Sequence, residues 1–556
     1  MSSASIKCEL SKQKASPRSV WIFLGIFLLA AALRIPGYTE SVWIDELYSS
    51  NIFVGEPLTL LKTIYSDIHP PLYALFAHFW NQAVGSDREI WLRLPALLCG
   101  LGTIVLVWRL GMLFVDASAG LMAAALLAMS PVHIWYSQEA RSYSMTLFLL
   151  LLTILSYYRL LQGRRMRCWT AVFSLALSCL VFTHYYNLVF AGLLLVLTAT
   201  RKSPHRRRVL SNILLVTGAL GLYMVAKLQL SEIPVRASYL RGFGVAEAWE
   251  LFSVWFLTGE VFGRQGHRSG FGEMVTLVIQ VLGVLAVLRG SWRLLRRHSS
   301  QDSPPGLDLL LMVIALPVFL GALTIFVSDQ VYIERSALPA LPFFAVVIGS
   351  GVTGWRSKGR RRASLSLVIA CAAVLLVTSY NSGSAWTTYK PNPDWRGAAR
   401  FLSTELPSDG SRAVLYSDYP SPTALTYYDG RMQETKNFVR NDDKTNAVLG
   451  KFAQIFGTEG WPGEPLQAVI KRWIDDSYRL LADTEAKMKL EIIELKPAAG
   501  DTERNHPFNE PRLDTFWLLI HTTPTQFGKQ VLADERIRIE STRHFRSLTL
   551  YKLQRD

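Results

Sequence analysis

The sequence predicts a polytopic α-helical membrane protein that ends in a soluble α/β domain. Half of the 556 residues are hydrophobic. Apolar runs long enough to cross about 30 Å of hydrocarbon recur through residues 20–380, and none follows in residues 381–556. The chain is also longer than one ordinary domain. Its composition therefore argues against an ordinary soluble enzyme.

Eleven apolar stretches make up the predicted membrane domain. The first follows a basic N-terminal segment, residues 1–19, and lacks a small-residue cleavage site, so we expect a retained signal anchor. The fifth and sixth stretches are short and adjacent, which leaves a tight hairpin or one broken segment as alternatives. The stretches lie near residues 20–35, 94–114, 119–136, 144–161, 169–184, 187–200, 209–227, 271–289, 307–328, 336–354 and 363–380.

Lysine and arginine fall on alternate connections between these stretches. Six connections hold 23 basic and three acidic residues, and basic loops are retained in the cytoplasm. We therefore expect a cytoplasmic N-terminus in the cell inner (plasma) membrane. The same bias accounts for the formal net charge of +15, so no nucleic-acid partner is implied. The six basic connections are residues 1–19, 109–118, 159–168, 201–208, 289–306 and 355–362.

The tail, residues 381–556, alternates helical and extended patterns. Residues 395–406 have a helical pattern, whereas residues 516–521 and 548–553 read as strands. The tail follows the eleventh stretch, on the side opposite the basic connections. We therefore expect an extracytoplasmic, periplasmic α/β domain.

The first outward loop, residues 34–93, carries the adjacent carboxylates of Asp45 and Glu46. Carboxylates at a membrane edge are costly unless they are solvated or used. In one interpretation the loop is simply wet, with Trp43 and Tyr48 as interfacial aromatics. In the other, an aspartate acts as a general base that takes a proton from an acceptor hydroxyl. Both interpretations are compatible with the residues alone.

The same loop contains His69-Pro70-Pro71, ahead of an aromatic-rich segment that suits a helix lying in the membrane interface. His69 is predicted to contact phosphate or to face water. A metal role with Asp67 has no support from a second ligand at helical spacing. The sequence leaves open whether a divalent metal takes part.

Polar residues also interrupt the apolar pattern at three outward turns. Gln138, Glu139 and Arg141 lie between two stretches, where polar groups usually line a cavity. Arg141 is suited to bind phosphate through two hydrogen bonds, with Gln138 or Glu139 orienting it. An ordinary ion pair is the alternative. His184 and Arg335 are either phosphate contacts or an interfacial histidine and a snorkelling arginine.

In this order the motifs resemble the GT-C superfamily of polyprenyl-phosphate-dependent glycosyltransferases, which includes protein O-mannosyltransferases and the lipid A aminoarabinose transferase. The resemblance covers most of residues 20–350. It is strongest to the bacterial branch that builds lipopolysaccharide-core or cell-envelope sugars, which residues 393–399 and the tail also resemble. The motifs are Asp45-Glu46, His69-Pro70-Pro71, residues 91–97, residues 137–143, Thr183-His184-Tyr185, and Arg335 with Pro339.

The resemblance implies an inverting glycosyltransferase of the hexosyl or pentosyl type. Its donor would be a polyprenyl-phosphate sugar, and its acceptor a lipid, glycan or protein hydroxyl. Asp45 would be the catalytic base, with Glu46 beside it. The aminoarabinose-transferase branch usually has an arginine three residues after the aspartate, whereas this chain has Tyr48. The residues that would meet the donor phosphate or substrate are His69, Gln138, Glu139, Arg141, His184, Tyr185 and Arg335.

Two other classes of membrane protein are compatible with the predicted spans. A transporter or flippase for lipid-linked sugars would also carry charges among its spans. However, the sequence shows no inverted repeat, and its polar residues cluster at one face. A polysaccharide polymerase or ligase with a polyprenyl-diphosphate donor would have a large late outer loop with paired arginines, and no such loop is evident.

Overall fold

The computed structural model divides the chain into two compact units. One contains residues 1–39, 52–54 and 60–390, and the other contains residues 40–51, 55–59 and 391–556. Asp45 and Glu46 therefore belong to the unit that contains the tail. The structure describes residues 16–43, 45–46, 64, 69–86, 88–163, 166–201, 203–230, 240–258, 270–296, 305–328, 331–355, 357–381, 394–405, 413–417, 490–494, 515–521, 537–545 and 548–555.

The larger unit is helical, and each of the eleven predicted stretches contains a helix. One further helix, α2, follows the His69-Pro70-Pro71 motif, as its aromatic pattern indicates. Short 3-10 segments occupy Tyr185–Asn187 and Glu334–Ala340, and a π-helical turn occupies Leu251–Trp255. The helices are α1 (Pro17–Ala32), α2 (Leu72–Val84), α3 (Glu89–Phe114), α4 (Ala117–Met129), α5 (Pro131–Ser137), α6 (Tyr143–Leu161), α7 (Met166–Val181), α8 (Leu188–Thr200), α9 (Arg206–Leu230), α10 (Val245–Glu250), α11 (Phe256–Thr258), α12 (Gly270–Arg296), α13 (Pro305–Phe326), α14 (Leu341–Thr353) and α15 (Lys358–Asn381).

The prediction of a polytopic helical membrane protein is confirmed. Within the described residues, six helices are long and apolar enough to cross a membrane, or seven if α4 and α5 form one span. Three shorter apolar segments, α1, α7 and Tyr185–Thr200, add to these. The number of eleven spans stays a prediction.

The third predicted span, residues 119–136, is broken at Ser130. Its two halves, α4 and α5, are bent by 66°. Ser130 has an extended backbone, with φ −65° and ψ 119°, because the residue before a proline is driven out of the helical region. Its hydroxyl then caps α5 by accepting the His133 amide at 3.4 Å. A Cβ atom at Gly100 would overlap the Ser137 side chain, so this glycine lets α5 lie close to α3.

The tail unit contains a helix and a mixed sheet. Its helix, α16, spans Trp395–Glu405, and the strand order is β2-β1-β3-β5-β4. β1 pairs in parallel with β2 and β3, while β5 pairs antiparallel with β3 and β4. The predicted α/β character and all three of its predicted elements are therefore confirmed. The strands are β1 (Ala413–Ser417), β2 (Leu490–Glu494), β3 (Thr515–His521), β4 (Ile537–Phe545) and β5 (Leu548–Arg555).

Candidate active site

The chain leaves the first span at residues 34–38, and a buried arginine fixes this exit. The Arg34 guanidinium donates to the carbonyls of Ala30 at 2.7 Å and Ala128 at 3.2 Å. Both carbonyls lie in last helical turns, of α1 and α4, which lack helical donors of their own. Arg34 also lies 2.6 Å from Nδ1 of the buried His133. One side chain thus joins the end of α1 to the bend between α4 and α5.

Two further side chains, Gln138 after α5 and Arg93 on α3, bind the backbone of residues 34–38. The side-chain amide of Gln138 donates to the carbonyl of Arg34 at 2.9 Å and also to that of Pro36. The buried Arg93 donates to the Tyr38 carbonyl at 2.9 Å, and the Tyr38 hydroxyl donates to a carbonyl in the first turn of α3 at 2.8 Å. Burial raises the pKa of Tyr38, an effect that Arg93 partly opposes, so the hydroxyl keeps its proton as a donor. Gln138, predicted to bind substrate, holds the backbone here.

Glu139 and Arg141 follow directly on this bend. The buried Glu139 carboxylate accepts a hydrogen bond from the Trp135 indole at 2.7 Å, and the Arg141 amide donates to the Glu139 carbonyl at 2.7 Å. The Arg141 side chain is half-buried. The next helix, α6, packs against the 3-10 turn that carries Arg335. The helix that directly follows Glu139 and Arg141 therefore contacts the segment that carries Arg335.

His69 and His184, far apart in sequence, come together in the structure. Their ring centroids are 5.5 Å apart in an edge-to-face arrangement, and the first amide of α2 donates to the Phe182 carbonyl at 3.1 Å. The ammonium of the buried Lys227, near the end of α9, donates to the carbonyls of His69 at 3.1 Å and Ile64 at 3.2 Å. A positive charge thus lies against the His69 turn. Asp67 lies outside the described residues.

The His184 turn continues into the segment before Arg335. His184 Nδ1 accepts the Tyr186 amide at 3.3 Å, and the Tyr186 hydroxyl donates to the Val331 carbonyl at 2.6 Å. Tyr185 opens the 3-10 turn between them. The predicted substrate-binding residues His69, His184, Tyr185 and Arg335 are therefore carried by connected backbone segments.

A second arginine organises the surroundings of Arg335. The Arg241 guanidinium binds Glu334 at 2.8 Å and Glu250 at 3.2 Å and lies over the Tyr332 ring. Burial lowers the pKa of Arg241, but Glu334 and Glu250 more than offset this, so its pKa lies above the usual value. This network fixes the backbone next to Arg335, whose side chain is half-buried.

Sequence reasoning missed Lys227, Arg34 and Arg241 as site residues. Lys227 ends an apolar stretch, where a charge usually has a function or a partner, and this signal could have marked it. Arg34 directly follows an apolar stretch in the same way. Nothing in the pattern around Arg241 indicates its two carboxylate partners, because Glu334 is 93 residues away in the chain.

Asp45 and Glu46 lie in the other unit, which contains the tail. The buried Glu46 carboxylate accepts the Trp43 amide at 2.7 Å, which closes a short turn around the half-buried Asp45. Ser41, four residues before Asp45, is buried at the start of α16. The proposed base is thus held by contacts within the tail unit.

An apolar cavity of about 100 Å³ opens between α4, α12, α14 and α15. Ser130, at the bend that leads to Glu139 and Arg141, also lines it. Within the part of the chain that the structure describes, no cluster of three or more metal-binding side chains occurs. The apolar lining includes Leu126, Phe256, Leu282, Ala345 and Val368.

Comparison with known proteins gives one family match by sequence. Residues 68–228 match the family described as dolichyl-phosphate-mannose-protein mannosyltransferase. This segment contains His69, Arg141, His184 and Lys227. No curated protein matches the chain.

Solved structures resemble the chain over a wider range. ArnT from Cupriavidus metallidurans matches in the apo state with a TM-score of 0.51 and bound to undecaprenyl phosphate with 0.52; each is 12% identical and covers 97% of this chain and 98% of that one. The oligosaccharyltransferase of Archaeoglobus fulgidus, in complex with Zn and sulfate, has a TM-score of 0.46, 15% identity, and coverage of 77% of this chain and 66% of that one. This chain thus spans just under two thirds of the oligosaccharyltransferase. With its apolar helices, the chain is a multi-pass membrane protein that has the fold of ArnT. The predicted resemblance is confirmed at the level of this fold and of the mannosyltransferase match over residues 68–228.

Proposed function

We propose that the chain is an inverting glycosyltransferase of the inner membrane. It moves a sugar from a polyprenyl-phosphate donor to a lipid, glycan or protein hydroxyl on the extracytoplasmic face. The observation that carries this proposal is the meeting of His69, His184 and Lys227 inside the segment that matches the mannosyltransferase family. The similar ArnT structure bound to undecaprenyl phosphate supports the same class of carrier.

In this reaction Asp45 is the base. Its carboxylate takes the proton of the acceptor hydroxyl, and the oxygen attacks the anomeric carbon from the face opposite the phosphate. The bond from that carbon to the phosphate oxygen breaks, and its electron pair leaves with the polyprenyl phosphate. The configuration inverts in one displacement, so no covalent sugar intermediate forms.

The leaving phosphate needs positive charge that is already in place. Lys227, Arg141, Arg335 and the His69 ring supply donors on connected segments of one unit. Such preorganised charge in a partly dry site stabilises a departing phosphate more than water does. We assign Gln138 to holding the backbone rather than to the donor, because its amide group bonds two carbonyls at the exit of the first span.

The lipid chain of the donor has a place in the same unit. We assign the prenyl chain to the apolar cavity between α4, α12, α14 and α15. Ser130 lines this cavity, and Glu139 and Arg141 follow it along the chain. A chain lying there stays among apolar side chains while its phosphate reaches the polar segments.

The experiment is sugar transfer by purified protein in lipid, with a panel of polyprenyl-phosphate sugars. Wild type is compared with Asp45→Asn in protein verified to be folded. Loss of a general base typically costs about 10²–10⁴-fold in rate, so we expect Asp45→Asn to bind donor and transfer sugar that much more slowly. Parallel reactions with EDTA and with added Zn²⁺ or Mg²⁺ report whether a divalent metal takes part.

The outcome that contradicts the proposal is equally specific. Wild type would transfer no sugar from any carrier but would speed lipid-linked sugar across the bilayer. Asp45→Asn would do so equally well. A transporter would then replace the glycosyltransferase. Equal transfer by wild type and Asp45→Asn would instead remove only the assignment of the base.

A further inference from the structure

The start of the Asp45 loop is anchored on the first helix of the tail. The Ser41 hydroxyl donates to the Asp394 carboxylate at 3.4 Å and accepts the Arg396 amide at 3.3 Å. All three residues belong to the same compact unit. Ser41 is 3% exposed, and its neighbour Val42 is 1% exposed. The hydroxyl of Ser41 is therefore largely withdrawn from water, while Asp394 is half-buried.

Asp394 binds the Ser41 hydroxyl and also caps the helix that follows it. The same carboxylate oxygen accepts the Gly397 amide at 3.0 Å, and a carboxylate there caps the start of α16. A Cβ atom at Gly397 would overlap this carboxylate, so glycine suits the position. The adjacent Trp395 is 1% exposed and fixes the helix in the unit. The N-terminal cap of α16 thus includes Ser41, which lies 353 positions before Asp394 in the chain.

The anchor is close to the proposed base. Ser41 precedes Asp45 by four residues, and Glu46 closes the intervening turn through the Trp43 amide. The segment that carries Asp45 is thus anchored at Ser41 and closed internally by the Trp43–Glu46 hydrogen bond. A catalytic group displaced by about 1 Å can lose on the order of 10²-fold in rate.

We propose that Ser41 and Asp394 are positioning residues that set the Asp45 carboxylate for catalysis, so that the tail takes part in sugar transfer whatever the acceptor. The inference rests on the proposed function. The cationic residues proposed for the donor phosphate belong to the other unit, so donor affinity is not the property that the anchor controls.

The test compares Ser41→Ala, Asp394→Ala and Asp394→Asn with wild type. Asparagine keeps an oxygen that can accept both hydrogen bonds, whereas alanine removes it. Thr404→Ala is the matched control, because its exposed hydroxyl donates to the Phe401 carbonyl at 2.7 Å, at the far end of α16 from Asp394. We expect kcat to fall about 10–100-fold in the alanine variants, with the donor KM unchanged. Asp394→Asn should retain most of the wild-type kcat.

Hydrogen exchange gives a second readout that does not use activity. In Asp394→Ala, peptides covering residues 40–46 should exchange faster, and Thr404→Ala should leave them unchanged. If both alanine variants keep the wild-type kcat, the positioning role of Ser41 and Asp394 is refuted, and the proposed function still stands. The same conclusion follows if the loss of kcat equals the loss of folded protein and Asp394→Asn does not restore it. If wild type transfers no sugar, the proposed function fails, and this inference fails with it.

Discussion

The Arg34 guanidinium donates a hydrogen bond to Nδ1 of His133 at 2.6 Å, and both side chains are buried. A guanidinium can only donate. His133 must therefore accept at Nδ1 and carry its proton on Nε2, as a neutral ring. This pair joins the exit of the first span to the bend that precedes Glu139 and Arg141. The neutral His133 ring thus helps to hold the backbone that precedes Glu139 and Arg141.

His133→Leu should destabilise the protein. The substitution removes the acceptor and leaves a buried guanidinium donor without this partner. Hydrogen bonds to charged groups are worth about 1.5–3 kcal/mol, so the thermal midpoint of the purified protein should fall. His133→Asn is the matched control, because its side-chain oxygen takes a place close to that of Nδ1. Equal midpoints for wild type and His133→Leu would contradict the prediction.

Much of the fold was predictable because bilayer burial depends on local composition. Each of the eleven apolar stretches contains a helix, and the strand patterns near 516–521 and 548–553 were confirmed. The break at Ser130 was missed, although the Ser130-Pro131 pair signals it. Residues 119–136 were predicted as one span because apolar residues continue on both sides of the Ser130-Pro131 pair.

The site was less predictable because its contacts join distant parts of the chain. The motifs single out His69 and His184, and the structure brings the two rings together. No local pattern could show that Lys227 meets the His69 carbonyl 158 residues away. Nor could composition show that Ser41 meets Asp394. Such pairings depend on how helices pack, and that information is spread over the whole sequence.

Lys227→Gln should weaken sugar transfer. It removes a positive charge next to the His69 turn and replaces an ammonium with a neutral amide. Loss of one preorganised donor to developing charge typically costs about 10²–10³-fold in kcat, and transfer from a polyprenyl-phosphate sugar measures the change. Lys227→Arg keeps the charge and should lose less. Arg109→Gln, on a connection predicted to face the cytoplasm, is the control. Wild-type rates in Lys227→Gln would remove Lys227 from the site.

Leu282→Trp should raise KM for long-chain donors. Leu282 lines the apolar cavity on α12, and a bulkier side chain would occupy the space assigned to the prenyl chain. A donor with a short prenyl chain should be affected less. Leu285→Trp on the same helix is the control, because Leu285 is 56% exposed and points away from the helix bundle. Equal KM changes for short and long donors would contradict this assignment of the cavity.

Asp308→Asn should destabilise the protein without changing the chemistry. The buried Asp308 accepts hydrogen bonds from Tyr158 and Arg201, which join α6 and the end of α8 to the start of α13. Breaking a buried ion pair typically costs about 3–5 kcal/mol, because one charge stays buried without its partner. The control, Asp116→Asn, breaks a more exposed pair with Arg293, which should contribute about 1 kcal/mol or less. Thermal midpoints of the purified variants measure both losses, and sugar transfer well below those midpoints should match wild type. A smaller loss in Asp308→Asn than in Asp116→Asn would show that burial does not determine the strength of these pairs.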